Sequence, residues 1–418
     1  MKMENKSILN KAWYYSIFLV AIFPVLGIKL TSISINIVGL ISFFLIIKEG
    51  KSFINKKKTQ WLLLFSSLYI VYLLTSIFHP FNHEAIFVLE KKLSLLVFPI
   101  IFFLIPINII EKHLNQVLLI FALSTLSIAI FTNFYILITG IPPNYLSFHD
   151  ISYSYRNYFE DISKIHPTYI SIYLAFSAFI FLNLFLKKET KGIYLLGFTS
   201  SIICIMLLSA KMPIIAFLLS LGLYLLMKPK NFIKLKFIVV AIIATLAIAI
   251  FTIPSLKIRL NELINSSLVP PKGENYNSIN VRAGINNCSF ALIKTNYMFG
   301  VGAGQLQNQL DICYKDYNTT AYSEIRYNTH NEYFNILLST GIAGLAAFLI
   351  LLITLFYEIY RIKNLPFFTL ITLVTLCFLT ENLMDRQGGV VFFAFFTSLF
   401  IRVYILQSKK ESKVKHIR

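Results

Sequence analysis

Across 418 residues the chain is 57% hydrophobic and only 14% charged, far more apolar than a water-soluble domain needs. Its 38 Lys and Arg outweigh 19 Asp and Glu, a formal net charge of +19 at pH 7, yet no stretch reads as a soluble basic domain. Nucleic-acid binding is thereby set aside, and a bilayer with anionic headgroups is the surrounding that this composition fits.

Apolar stretches long enough to cross roughly 30 Å of hydrocarbon as helix fall near 12–28, 33–47, 61–78 and 93–109. More follow near 114–139, 166–186, 193–210, 212–227 and 235–253, and a last group near 332–357, 366–380 and 388–406. The expected fold class is all-α: a polytopic membrane helix bundle of about 12 transmembrane helices, one integral domain over 1–418. Lys2, Lys6 and Lys11 precede the first stretch as they would in a signal peptide. No small-residue cleavage site follows, so it reads as a retained span.

Lys and Arg concentrate in cytoplasmic connections, and this orients the bundle. Most of the 38 fall at the N-terminus, at 48–58, at Lys112, at 187–191, at 228–236, at Arg361 and Lys363, and from Arg402 onward. Both termini are expected in the cytoplasm, which puts the connections at 140–165 and 254–331 outside. The second is the large outer loop between predicted helices 9 and 10. Its stretch from Arg282 through Ala291 to Met298 has helical spacing of apolar residues. Of the four cysteines, Cys204 and Cys377 fall inside spans as small apolar residues. Cys288 and Cys313 share the outer loop, where an oxidising compartment would permit a disulfide.

Four polar clusters stand at outer ends of predicted helices: His166-Pro167-Thr168-Tyr169, Ser209-Ala210-Lys211-Met212-Pro213, His330-Asn331-Glu332, and Glu381 through Arg386-Gln387-Gly388. Helices that start at that face point unpaired amide N–H groups and the positive end of the dipole outward, which favours anions. Lys211 at one helix start and Arg282 on the covering loop add full positive charges. Together they make a phosphate or pyrophosphate site that needs no metal. The bland alternative for Lys211 is a snorkelling interfacial charge.

The run His330 to Leu338, then Ser339-Thr340-Gly341-Ile342-Ala343-Gly344, carries the strongest local signal. Spacing by three and four puts Glu332, Asn335 and Ser339 on one stripe, and Gly341 and Gly344 would let another helix approach closely. A histidine at a helix start is often a cap. Beside an anion site, a neutral imidazole can also take a proton from a hydroxyl nucleophile.

These residues resemble the signature of the O-antigen ligase and polymerase family. Arg282, then Ala291-Leu292-Ile293 and Tyr297-Met298-Phe299-Gly300-Val301-Gly302-Ala303-Gly304, is similar to that family's arginine, short helix and glycine-rich turn. The His166-Pro167-Thr168-Tyr169 helix start also resembles many members, and motif-level similarity spans about 160–400. The family commonly has arginine where Lys211 stands after Ser209; lysine keeps the charge but loses the bidentate fork. The resemblance implies a GT-C-like inverting glycosyltransferase of the bacterial inner membrane, metal-independent and with no cofactor. It would transfer a glycan from an undecaprenyl-diphosphate carrier to a hydroxyl of another glycan, lipid A-core or other acceptor on the periplasmic face. His330 would be the base, and Arg282 and Lys211 would hold the leaving diphosphate. Asn331, His166 and Arg386 would bind diphosphate or glycan beside them. The glycine-rich turn is no dinucleotide fingerprint, since no strand precedes it and no βαβ unit surrounds it.

Polymerisation of repeat units on the same carrier is the nearest alternative. A secondary transporter is the rival from another class, because it too would have about 12 helices with inner termini. Transporters place ionisable residues near the midplane, whereas these spans are almost free of charge and show no internal repeat.

Overall fold

The computed structural model describes residues 8–49, 56–80, 82–105, 111–145, 151–187, 191–226, 261, 264, 268–274, 276–323 and 325–404. Among them the chain forms α1 (Ile8–Ala21), α2 (Phe23–Glu49), α3 (Lys56–Phe78), α4 (His83–Lys92), α5 (Ser94–Leu104), α6 (Glu111–Thr139), α7 (Ile151–Ser163) and α8 (Pro167–Leu186). It continues with α9 (Lys191–Leu208), α10 (Lys211–Leu226), α11 (Ser278–Asn296), α12 (Leu306–Tyr314), α13 (Glu332–Ile362), α14 (Leu365–Cys377) and α15 (Gln387–Tyr404). No strand forms among the described residues, and an isolated bridge pairs Gly273 with Thr319.

Among the described residues six helices are long and apolar enough to cross a bilayer: those over Phe23–Lys48, Lys56–Phe78, Lys112–Thr139, Pro167–Leu186, Glu332–Ile362 and Gln387–Tyr404. Gly192–Leu208, Lys211–Tyr224 and Leu365–Cys377 are shorter apolar helices, and the expected span at 235–253 lies outside the described residues. This is a multi-pass membrane protein. α8 and α15 are almost wholly buried and form its centre, where Phe121, Phe176, Phe392 and Phe396 pack edge to face. α2 and α3 lie outside them and expose Leu40, Phe43, Phe44, Leu63 and Leu74, an apolar periphery suited to lipid contact.

Several expected boundaries are corrected. Residues 28–33 are not a polar turn between two spans. The Thr31, Ser32 and Ser34 hydroxyls donate to the carbonyls of Gly27, Ile28 and Leu30, so they satisfy themselves within the helix, and the break falls earlier, at Ile22 and Gly27. Within the span expected at 93–109 the chain forms the eleven-residue α5, preceded by the separate helix α4, and 106–110 lie outside the described residues. The connection at 140–165 holds the amphipathic helix α7, whose Tyr158, Phe159 and Ser163 are buried while Tyr153, Asp161 and Lys164 are exposed.

α13 is not a single rod. At Gly341 the backbone turns to φ 70°, ψ −170°, and the groups freed by the break are taken by the loop that precedes α13: Val301 N donates to Leu338 O at 2.7 Å and Ile342 N to Met298 O at 3.3 Å. A β-carbon at Gly341 would collide with the Met298 carbonyl, and one at Gly300 with the Leu338 carbonyl. Gly341 therefore admits the glycine turn of the loop and not a neighbouring helix, and Gly344 faces the Thr340 hydroxyl of its own helix. The outer stretch is helical as its spacing predicts, over α11, and the Cys288–Cys313 disulfide ties α11 to α12.

Candidate functional site

Three of the four chain reversals that carry the polar clusters share a local solution. Lys164, Ser209 and His330 have φ of 56°, 50° and 44°, and each stands two or three residues before the start of α8, α10 or α13. The left-handed region is costly for residues with a β-carbon, of order 1–3 kcal/mol each, and it concentrates at functional sites. The reversals leave His166, Lys211 and Asn331 at helix starts.

The buried centre of the cluster is Glu381, between α14 and α15. Arg282, one turn into α11, donates from Nη2 to Glu381 Oε1 at 2.7 Å. His330 Nδ1 lies 3.8 Å from Glu381 Oε2, close enough for an ion pair once protonated but too far for a hydrogen bond. That nitrogen is buried with no hydrogen-bond partner among the described residues. Burial alone would raise the Glu381 carboxyl, but His330 and the Arg282 guanidinium beside it outweigh burial and hold it at about 2. Glu381 thus stays ionised and faces an imidazole edge.

His166 and Arg386 belong to the same assembly. His166 Nε2 is 3.9 Å from Glu160 Oε2 of α7, and Arg386 Nη1 donates to Glu160 Oε1 at 3.1 Å. His166 caps α8, its Nδ1 accepting from Thr168 N at 3.3 Å; an accepting Nδ1 leaves the proton on Nε2, toward the carboxylate. Burial, with Arg386 and Arg156 nearby, pushes His166 down to about 3, so this imidazole is neutral. Arg386 also lies over the Tyr169 ring, 5.7 Å from its centroid.

Lys211 reaches the cluster through α11. Its Nζ donates to Ser278 Oγ at 3.2 Å, and Ser278 precedes Arg282 by four residues on the same face of that helix. Arg282 keeps 36% of its side-chain surface exposed despite its ion pair. Asn331 is used inside the protein: its Oδ1 accepts from Phe334 N at 3.1 Å, capping α13, and its Nδ2 donates to Leu379 O at 3.1 Å.

Beneath these residues is a clamp that sequence reasoning missed. Glu332 Oε2 accepts from Met384 N at 2.8 Å, while Lys92 Nζ donates to Met384 O at 3.0 Å. Both side chains are buried, and Lys92 sits over the Tyr72 ring at 4.7 Å. Lys91 stands 3.7 Å from Asp385. The segment that carries Glu381 and Arg386 is thus held at both the N–H and the carbonyl of one residue, Met384. The available signal was a lysine pair directly against an apolar run, a place where a cation is expensive without a partner. Glu160 was missed with α7, although Tyr155, Tyr158, Phe159 and Ile162 repeat at helical spacing.

Residues 195–349 match the family model described as O-antigen ligase. Over this stretch the chain is O-antigen ligase-like. The match bears out the resemblance carried by Arg282, the glycine turn and the His330-Asn331 run. It is narrower than the stretch of about 160–400 that the motifs suggested, and it takes in Lys211, Arg282, His330 and Asn331 but not His166, Glu381 or Arg386. No curated protein matches the chain. The matched stretch therefore supplies Lys211, Arg282 and His330, and the carboxylate that Arg282 and His330 face, Glu381, comes from beyond it.

Proposed function

We propose that this protein transfers a glycan from an undecaprenyl-diphosphate carrier to an acceptor hydroxyl at the periplasmic face of the bacterial inner membrane. The observation that carries the reading is the His330 imidazole, whose buried and unpartnered Nδ1 stands beside an ionised Glu381 and within one side chain of Arg282. His330 takes the proton of the acceptor O–H as that oxygen bonds to the anomeric carbon. The carbon's bond to the diphosphate oxygen breaks, and undecaprenyl diphosphate leaves with the electron pair. Attack from the side opposite the leaving group inverts the anomeric centre. Glu381, kept as carboxylate, stabilises the imidazolium so formed, as the buried acid does in a serine-protease triad. Arg282 and Lys211 hold and neutralise the leaving diphosphate, helped by the amide N–H groups at the start of α10. His166, neutral and tied to Glu160, lines the same site with Arg386, and neither exchanges a proton in the step.

The disulfide supports an outward site, because Cys288–Cys313 bonding requires an oxidising compartment. Both termini are then cytoplasmic. Labelling of an introduced cysteine at Lys272 should occur in intact spheroplasts; labelling only after the inner face is opened would reverse the orientation.

Reconstitution with a lipid-diphosphate glycan tests the chemistry. Wild type should release the carrier, and product chain length separates single ligation from polymerisation. Arg282→Ala and Lys211→Ala should each weaken donor binding, while Lys211→Arg should be tolerated if charge outweighs geometry. Normal donor use in both alanine variants would remove the diphosphate site.

A further inference from the structure

α7 uses both of its faces. Its apolar stripe packs inward, while Asn157, Glu160, Asp161 and Lys164, spaced by three, one and three, form a polar stripe on the other side. With Tyr145, a residue of the short turn Pro143–Tyr145 before it, those four residues line an open surface groove of about 480 Å³. That volume falls within the roughly 300–1,000 Å³ of small-molecule sites. Its wall is pre-set: Tyr145 Oη donates to Asp161 Oδ2 at 2.5 Å, Lys164 Nζ donates to Asp161 Oδ1 at 2.7 Å, and the Tyr145 ring packs on Tyr158 at 4.9 Å.

We propose that this groove is the acceptor-sugar subsite. The inference rests on the glycosyl-transfer reading above. Lys164 and Arg386 are already matched by Asp161 and Glu160, so the α7 side carries no excess positive charge and the donor's charged end belongs on the Arg282 and Lys211 side of the cluster. A neutral ring rich in hydroxyls suits the α7 side. Carboxylate oxygens accept from vicinal hydroxyls, the Asn157 amide and Lys164 ammonium donate to sugar oxygens, and the Tyr145 ring offers a flat wall to an apolar sugar face. Glu160 connects the two sides, since it lines the groove and also receives Arg386 at 3.1 Å and faces His166 at 3.9 Å. A sugar seated on the α7 stripe therefore lies next to the residues that surround Glu381 and His330.

The test uses the full chain in nanodiscs and, as probe, the oligosaccharide released by mild acid from the host's own envelope glycolipid. Saturation-transfer NMR reads its binding, and transfer kinetics at saturating donor read acceptor KM. Asn157→Ala, which removes one amide, and Tyr145→Ala, which removes the ring wall, should each raise the acceptor constant about tenfold, the worth of one such contact. Donor affinity should not change. Unaltered acceptor affinity in both variants, or an equal loss of donor affinity, would overturn the subsite. If wild type released no carrier at all, the transfer reading would fall, and the NMR titration would still decide whether the groove binds glycan.

Discussion

The two ends of the central helices handle charge in different ways. At the end where α15 begins stand two sets of paired charges, Arg282 and His330 around Glu381 and His166 and Arg386 around Glu160, and one buried atom among them, His330 Nδ1, has no hydrogen-bond partner among the described residues. At the end where α15 finishes, about 22 Å away at 1.5 Å per residue, Arg402 Nη2 and Lys58 Nζ both donate to the carbonyl of Ile105, at 2.9 and 3.4 Å, and both side chains are buried. Cations that end on a backbone carbonyl fix where a helix stops and which way it faces. Cations held against a carboxylate next to an unsatisfied imidazole can exchange partners when a charged ligand arrives.

The sharpest way to break this contrast is His330→Asn. Asparagine keeps a polar group and tolerates the left-handed backbone, so a purely structural histidine would be replaceable. As a base it is not, and loss of general-base help costs about 10² to 10⁴ in rate. Transfer rate against pH, in matched amounts of folded protein, decides. A near-normal rate with an unchanged pH profile would make the two ends equivalent.

Next in size is the clamp under the site. Lys92→Met leaves Glu332 buried without its cation, which should cost about 3–5 kcal/mol. Adding Glu332→Gln should recover part of that loss, because a neutral pair needs no buried counter-charge. Thermal unfolding of both in nanodiscs provides the comparison, and an additive double variant would mean that the residues do not act as a pair.

Acid sharpens the comparison in a third way. The Glu381 carboxyl sits at about 2 when folded, below the ordinary value of about 4.3. Its ionised form therefore adds stability above about pH 4, and that contribution is lost as pH falls toward 2. The gap in thermal midpoint between wild type and Glu381→Gln should be wide at pH 7 and narrow at pH 3. A gap that widened in acid would contradict the sign of the shift.

The smallest effect is expected at the far end. Arg361 and Glu358 pair at 3.1 Å across one helical turn, with the arginine half exposed, and such pairs are worth about 0.3–0.5 kcal/mol. Arg361→Gln should leave transfer per folded molecule unchanged. A large loss of turnover there would show that charge at this end also serves the reaction.

Much of this was legible in the chain. The helices over 166–186, 193–210 and 388–406 fall where unbroken apolar runs place them, because length and hydropathy are what a bilayer selects. The convergence of His166, His330 and Arg386 followed from the alternation of helix direction alone. Two kinds of information were hidden. Hydroxyls that bond to their own helix look like a turn, so Thr31, Ser32 and Ser34 concealed the continuity of α2. Partner choice was the other: nothing in the order of residues says that Arg282 meets Glu381, or that Glu332 and Lys92 grip the backbone of Met384, since these pairings join segments 52 residues apart or more.

The break at Gly341 has a practical side. Because Met298 through Val301 plug into it, the loop that precedes α13 is anchored at a third point between its two ends. Tags, epitopes or inserted domains should therefore be tolerated unevenly along it. A passenger placed at the exposed Ser323 would hang from a surface turn, whereas one placed between Met298 and Gly304 would pull the fastener out of the membrane helix and release α11 with its arginine.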